Sequence, residues 1–270
     1  MATGFLHPGA MGASLAAACS GERLWSGDGR SPVTRDRAEA AGLIDVGSLD
    51  ALVRRSDVIV SVCPPASAVT VADSVAALEF GGIYVDVNAI SPATARAIGE
   101  RFARFVDGGV VGPPAKARGT TRLYLSGADS PQIAELWTNS AVETRLVDGD
   151  VGAASAVKVC FAAWTKGTAA LLLAIRALAR AEGVEPALLA EWATSLPELA
   201  GQSERAAANN AAKAWRFAGE LDEIAASFTA HDLPGGFGRA ASTIYERLAR
   251  FRDMPDVPLD AVLAALTASP

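Results

Sequence analysis

Two short stretches carry residue types and spacings that could do chemistry. The first is "FLHPGAMGASLAA", residues 5–17. It comes close to G-x-G-x-x-G, the turn that cradles a dinucleotide pyrophosphate between a strand and a helix. The first glycine of that motif permits a tight turn, the second lets the backbone approach the pyrophosphate, and the third lets helix and strand pack closely. Gly9 and Gly12 keep the second and third positions, while His7 stands at the first and Pro8 follows it. The segment His7, Pro8, Gly9, Ala10, Met11, Gly12 is therefore a candidate phosphate cradle. A helix opening there offers free N–H groups and a positive dipole end. A residue before proline is pushed toward extended geometry, so the strand is expected to end at His7 without a positive φ. His7 either simply ends the strand or donates to the bound nucleotide.

The second stretch is "GAASAVKVCFAAWTKG", residues 152–167, with Lys158 inside an apolar run. Hydride transfer at a C–OH carbon needs a group that moves the hydroxyl proton. A lysine does this when desolvation or a nearby cation brings it down from its ordinary pKa of ~10.4. On a helix, Ala162 and Thr165 share the face of Lys158, which makes Thr165 a candidate site residue. The competing reading of Lys158 is a snorkelling or ion-paired helix lysine.

The elements that must position these residues follow from the patterning. Short apolar runs alternate with helical stretches through the first half: "TGFLH", "RLWSG", "LIDV", "VIVSVC", "GIYVDVN", "RFVDGGVVG", "LYLSG" and "TRLVDG" read as strands. Strands that are apolar throughout and alternate with helices imply a parallel sheet covered on both faces. After Gly149 the strand signal stops, and a helical run from Gly152 to about Glu182 is followed by further helices. The expected fold is α/β: a Rossmann-type doubly wound domain over residues 1–149 and an all-α domain over 150–270. The end of the second strand selects the cofactor, since a carboxylate there holds the ribose diol of NAD and arginine meets the 2′-phosphate of NADP. Arg30 and Ser31 follow that strand, with Arg35 and Arg37 on the next helix, against one competing carboxylate, Asp28. NADP(H) is the expected cofactor.

Bulk composition narrows the class. The chain has 270 residues, half of them apolar, with a formal net charge of −6. An acidic chain without a basic stripe argues against a nucleic-acid partner. Cys19, Cys63 and Cys160 lie far apart and form no metal-ligand spacing, which fits thiols in a reducing cytoplasm. The first twenty residues lack the basic segment of a signal peptide. The apolar stretch "ALLLAIRALA" contains Arg176 and by itself is too short to span a bilayer. A cytoplasmic protein with no membrane partner is expected.

The stretches "GFLHPGAMG", "VSVCPP", "YVDVNAISP", "VDGGVVGPP" and "GAASAVKVCFAAWTKG" together resemble, in order and spacing, the β-hydroxyacid dehydrogenases, the group of 3-hydroxyisobutyrate and 6-phosphogluconate dehydrogenases. The forms "HPGAMG", "AAWTKGTAALL" and "LPGGF" are most similar to a phosphogluconate-dehydrogenase-like branch. The resemblance implies a Rossmann domain, a helical C-terminal domain, a homodimer, and Lys158 as the proton-transfer residue. It also places Cys63, Pro64 and Asn88 against the cofactor. Val111, Gly112 and Pro113 fall where the family carries a polar S-G-G segment that binds substrate. His231 and Asp232 of "HDLPGGFGRAA" fall near a Lys-Asp pair that reaches the active site in relatives. Asn88 and Ala89 replace Ser and Thr, Val111 replaces Ser, and Phe161 and Ala162 replace paired asparagines, so the site is more apolar than in relatives acting on small hydroxy acids. The function implied is NADP(H)-dependent oxidation or reduction of a small hydroxy or keto compound in a cleft between the domains. An imine reductase of the same architecture and a non-catalytic NADPH sensor are the alternatives.

Overall fold

The computed structural model describes residues 1–268. The chain divides into a sheet unit, residues 1–159, and a helical unit from Cys160 onward. In the sheet unit, strands β1 (Ala2–Phe5), β2 (Glu22–Trp25), β3 (Ile44–Asp45), β4 (Val58–Ser61), β5 (Ile83–Asp86) and β6 (Phe105–Val111) alternate with helices α1 (Ala10–Ala18), α2 (Pro32–Ala40), α3 (Leu49–Arg55), α4 (Ala68–Ala76) and α5 (Pro92–Gly99). Then come β7 (Thr121–Ser126), α6 (Ser130–Ala134) and β8 (Val142–Leu146). The eight strands form one sheet in the order β3-β2-β1-β4-β5-β6-β7-β8. The first six run parallel.

The all-parallel expectation fails at β7, which pairs antiparallel with β6, while β8 is parallel to β7. The cause is loop length. A parallel return needs a crossover of about a dozen residues or more, and residues 112–120 do not supply one. The central strands β4 and β5 are buried along their whole length because both faces are covered. Val58 and Val60 pack on one side with Leu15 and Ala16 of α1, and Ile59 packs on the other with Ala68, Ala72 and Val75 of α4.

Helix α7 (Ala153–Ala181) follows. The helical unit adds α8 (Glu185–Ser195), α9 (Glu198–Asn210), α10 (Ala214–Thr229), α11 (Gly236–Leu248) and α12 (Leu259–Thr267). The apolar stretch around Arg176 belongs to this helix of 29 residues. By length and composition the whole helix is long and apolar enough to cross a membrane. Arg176, however, is 4% exposed. Its guanidinium donates to Glu185 Oε1 at 2.6 and 2.9 Å and to Ser203 Oγ at 2.8 Å. A buried charge is tolerable when paired in this way. Lys166 is tied down too, to Glu220 and over the Phe217 ring at 4.6 Å.

Candidate functional site

The strand order reverses between β1 and β4, which lie side by side with Phe5 opposite Val60. Ligands of open α/β sheets bind outside the carboxyl ends of the strands at such a switch point. His7–Gly12 follow β1, Cys63 and Pro64 follow β4, Asn88 follows β5, and Arg30 follows β2. The topology thus brings the expected cofactor residues to the carboxyl ends of neighbouring strands of one sheet.

The first turn departs from expectation. His7 has φ +110°, the left-handed side of the map, so the turn is made as a glycine would make it. The preference imposed by Pro8 yields to tertiary geometry. The His7 carbonyl accepts from Gly9 N at 2.6 Å, and α1 starts at once. The two glycines then differ. A Cβ on Gly12 would lie 2.8 Å from the His7 carbonyl oxygen and 3.5 Å from Val62 Cβ, so Gly12 is demanded by helix–strand packing. A Cβ on Gly9 would meet only the His7 oxygen, at 4.0 Å. Gly9 is exposed and has φ −66°. Nothing in the fold requires glycine there. The space it leaves lies over the α1 N-terminus, which has no side-chain cap. Ala10 is exposed and Met11 half-buried beside it. This arrangement fits an anionic group against backbone N–H donors.

Around the β2 end, Ser31 caps α2, its Oγ accepting from Thr34 N at 3.4 Å. Arg35 is exposed and engaged by Asp45 and the Gly27 carbonyl. Arg37 reaches the Pro8 carbonyl at 3.5 Å. Arg30 makes no side-chain hydrogen bond or ion pair with any described residue. It shares a small cleft with His7, Ser26 and Ser74.

Asn88 is 2% exposed, and its amide is fully engaged. Its Oδ1 accepts from Cys63 N at 2.6 Å, while Nδ2 donates to Ser61 Oγ at 3.1 Å and to Asp86 Oδ2 at 2.8 Å. It therefore fastens the β4 end to the β5 end. Burial raises the Asp86 carboxyl to about 7, against the hydrogen bonds from Asn88 that lower it. Burial likewise pushes the Cys63 thiol up to about 12, which removes it as a nucleophile.

Lys158 stands in the second turn of α7, on the sheet unit. Three features place it. Asp107, fully buried in β6, accepts from Gly152 N at 3.0 Å, Ser155 N at 2.9 Å and Ser155 Oγ at 2.5 Å, and so caps α7. A carboxylate at a helix N-terminus is stabilising. Ser126 of β7 donates to the same carboxylate at 3.0 Å. Gly109, two residues along β6, leaves the room, because a Cβ there would lie 2.9 Å from both Lys158 Cβ and the Ala154 carbonyl oxygen. Lys158 itself is half-buried and forms no hydrogen bond or ion pair with any described residue. Burial alone holds its pKa down to about 8. The ion-paired reading is thereby set aside. Sequence reasoning passed over Asp107, Ser126, Ser155 and Gly109. The available signal was a carboxylate and two glycines inside an otherwise apolar strand.

Val111 is 3% exposed and lies on the same strand face as Gly109. Gly112 has φ +118°, and a Cβ there would lie 2.1 Å from the Thr120 carbonyl oxygen, so it serves the β6–β7 turn. The Pro113 carbonyl accepts from Thr121 Oγ1 at 2.7 Å. The remaining predicted residues belong to the helical unit. Thr165 is exposed and bonds back to the Phe161 carbonyl at 3.0 Å. His231 and Asp232 are exposed in the turn that ends α10, where Asp232 takes φ +58°. Within the helical unit, no side chain of these three hydrogen-bonds to another of the three.

The helical unit also carries a groove of about 640 Å³ between α7, α10 and α11. Its floor is built from small residues such as Gly167, Ala170 and Gly238, and Trp164 and Phe237 stand on its lining. Those two rings are 72% and 81% exposed, and Leu171 and Leu178 continue the α7 stripe at 59% and 61%.

Comparisons with known proteins agree with this architecture. Residues 179–248 match the family model described as Domain of unknown function (DUF1932). An uncharacterized 28.5 kDa protein of Methanothermus fervidus, from the 7S RNA 5′ region, is 30% identical over 167 residues, which are 60% of this chain. The chain spans 63% of the length of that curated relative. Among solved structures, the conserved protein MTH1747 of unknown function, described as similar to 3-hydroxyacid dehydrogenases, is 25% identical with TM-score 0.69, covering 93% of this chain and 98% of its own. Mycobacterium tuberculosis 3-hydroxyisobutyrate dehydrogenase with L-serine is 21% identical with TM-score 0.69 over 99% of both chains. An Aspergillus terreus reductive aminase in complex with NADPH, cyclohexanone and allyl amine is 17% identical with TM-score 0.56, over 98% of this chain and 97% of its own. The chain has the fold of the 3-hydroxyacid dehydrogenases, a Rossmann-type sheet followed by helices, with a DUF1932 region in its helical part.

Proposed function

We propose that this protein is an NADP(H)-dependent oxidoreductase that interconverts a small hydroxy compound, a hydroxy acid above all, with its keto partner. The observation that carries the reading is Lys158, an unpaired, half-buried amine with a pKa of about 8. A structural lysine gains nothing from that placement, whereas proton transfer needs a group that titrates near working pH. A bound nicotinamide supplies or accepts hydride at the substrate carbon. The chain's own residues do the rest. The turn around Gly9 and the α1 N-terminus hold the pyrophosphate, and Arg30 beside Ser31 meets the 2′-phosphate. The Lys158 ammonium gives a proton to the carbonyl oxygen in reduction, and the neutral amine takes it from the hydroxyl in oxidation. The likeness to a structure holding NADPH supports the cofactor, and the likeness to 3-hydroxyisobutyrate dehydrogenase supports the substrate class.

A second reading, reduction of a C=N bond, is favoured by Val111, which offers no hydroxyl to a carboxylate and suits an apolar imine. The retained lysine speaks for carbonyl chemistry and against a mere NADPH sensor. The exposed rings beside the small-residue groove support a two-fold homodimer packed through the helical unit. The test is NADPH consumption against a panel of keto acids, aldehydes and cyclic imines, with Lys158→Ala as control. Keto-acid turnover lost in Lys158→Ala, with NADPH binding retained, is the expected result. Turnover of cyclic imines alone would transfer the conclusion to the second reading, and an absence of NADPH binding would end both.

A further inference from the structure

His7 carries three features that a strand end does not need. A non-glycine residue at φ +110° is strained, typically by ~1–3 kcal/mol. The motif position it occupies accepts glycine without strain, so the chain holds an imidazole where the backbone favours no side chain. Second, Nδ1 is buried with no hydrogen-bond partner among the described residues. Third, burial, with the Arg30 guanidinium adding to it, lowers the ring to about 4, so the imidazole is neutral near pH 7. A neutral ring carries one proton. On sealed Nδ1 it would be a buried N–H without an acceptor, so it belongs on Nε2.

The ring lines a cleft of about 140 Å³ together with Ser26, Arg30, Ser74, Val71 and Val75. Ser26 Oγ already donates to the Gly47 carbonyl at 2.8 Å, and Ser74 Oγ to the Thr70 carbonyl at 2.9 Å. The uncommitted donors are therefore the Arg30 guanidinium and His7 Nε2–H, and among the described residues no carboxylate lines the cleft. Two free donors, one cationic, over an apolar wall suit a phosphate monoester attached to a nucleoside.

We propose that His7 is a specificity-determining residue whose Nε2–H donates to the phosphate monoester paired by Arg30, so that the atypical residue of the turn reads the 2′-phosphate of the cofactor. This rests on the reading that the sheet unit binds NADP(H). The test is calorimetric titration of the full chain with NADPH, NADH, 2′,5′-ADP and 5′-ADP, for the wild type, His7→Gly and His7→Asn. Loss of one charge-assisted bond makes His7→Gly weaker for NADPH and 2′,5′-ADP by about tenfold or more. NADH and 5′-ADP keep their affinities, and the variant unfolds at or above the wild-type temperature because the strain is gone. His7→Asn, which tolerates positive φ and retains an N–H donor, recovers part of the loss. Equal weakening for phosphorylated and unphosphorylated ligands overturns the proposal in favour of a role in the turn. An unchanged affinity throughout overturns it in favour of a purely structural histidine. If the wild type binds neither NADPH nor 2′,5′-ADP, the cofactor reading itself falls, and His7 with it, which the wild-type titration reveals before any variant is made.

Discussion

Replacing Lys158 by methionine should make the protein more stable while abolishing its chemistry. The reasoning is electrostatic. The lysine is charged at pH 7, since its pKa is about 8, yet it is half-buried and has no partner among the described residues. Lowering a lysine from 10.5 to about 8 corresponds to about 3 kcal/mol of unfavourable burial of the charged form. Water reaching a half-buried amine reduces that, so a gain of about 1–3 kcal/mol is expected from methionine, which keeps the stem and removes the charge. The sign follows from proton counting. Between pH 8 and 10.5 the unfolded chain binds more protons at this site than the folded one, so wild-type stability rises with pH across that window. The penalty is complete below about 8 and gone above about 10.5. Urea unfolding of wild type and Lys158→Met at pH 7 and pH 10.5, followed by far-ultraviolet circular dichroism, reads this directly. The gain should be present at pH 7 and much smaller at pH 10.5. A variant less stable than wild type at pH 7 refutes the reasoning, because the ammonium would then be making a favourable contact.

The two glycines of the first turn should respond in opposite ways. Gly9→Val should fold with near wild-type stability and lose NADPH affinity by orders of magnitude, whereas Gly12→Ala, whose Cβ meets backbone at 2.8 Å, should lose about 1–3 kcal/mol of stability; thermal melts and fluorescence titrations separate the two. Arg30→Ala should weaken NADPH by tenfold or more, as one charge-assisted contact is worth ~1.5–3 kcal/mol, and leave NADH nearly unchanged; equal losses for both would remove Arg30 from the 2′-phosphate site. With Lys158 as the proposed proton-transfer group, oxidation would use its neutral form and reduction its charged form, so kcat/KM should rise with pH through about 8 in oxidation and fall through about 8 in reduction. Sedimentation at micromolar concentration should show a dimer, and Trp164→Glu, which puts a charge on a ring that is 72% exposed, should dissociate it.

Much of this molecule is legible along the chain, because its elements are local. Apolar strands and amphipathic stretches announce the sheet unit, and the three-residue spacing of Gly9 and Gly12 marks the turn from β1 into α1. The direction of β7 was also available, since residues 112–120 leave no room for a crossover helix. His7 shows where local rules end. The preference imposed by Pro8 is worth little against a carbonyl that must lie over Gly12, and the turn takes the φ that the packing dictates. The setting of Lys158 is more distant still. It depends on a carboxylate 48 residues before Ser155 and on a glycine, Gly109, whose missing side chain matters only because a helix lies against it. Neither dependence has a periodicity. What the sequence does contain is an apparent defect, a charge and two glycines inside a buried strand. A defect kept in a core is either compensated or used. Asp107 is compensated by four donor bonds. Lys158, held by that same bracket, is left uncompensated, and an uncompensated amine with a pKa of about 8 is the group that proton transfer requires.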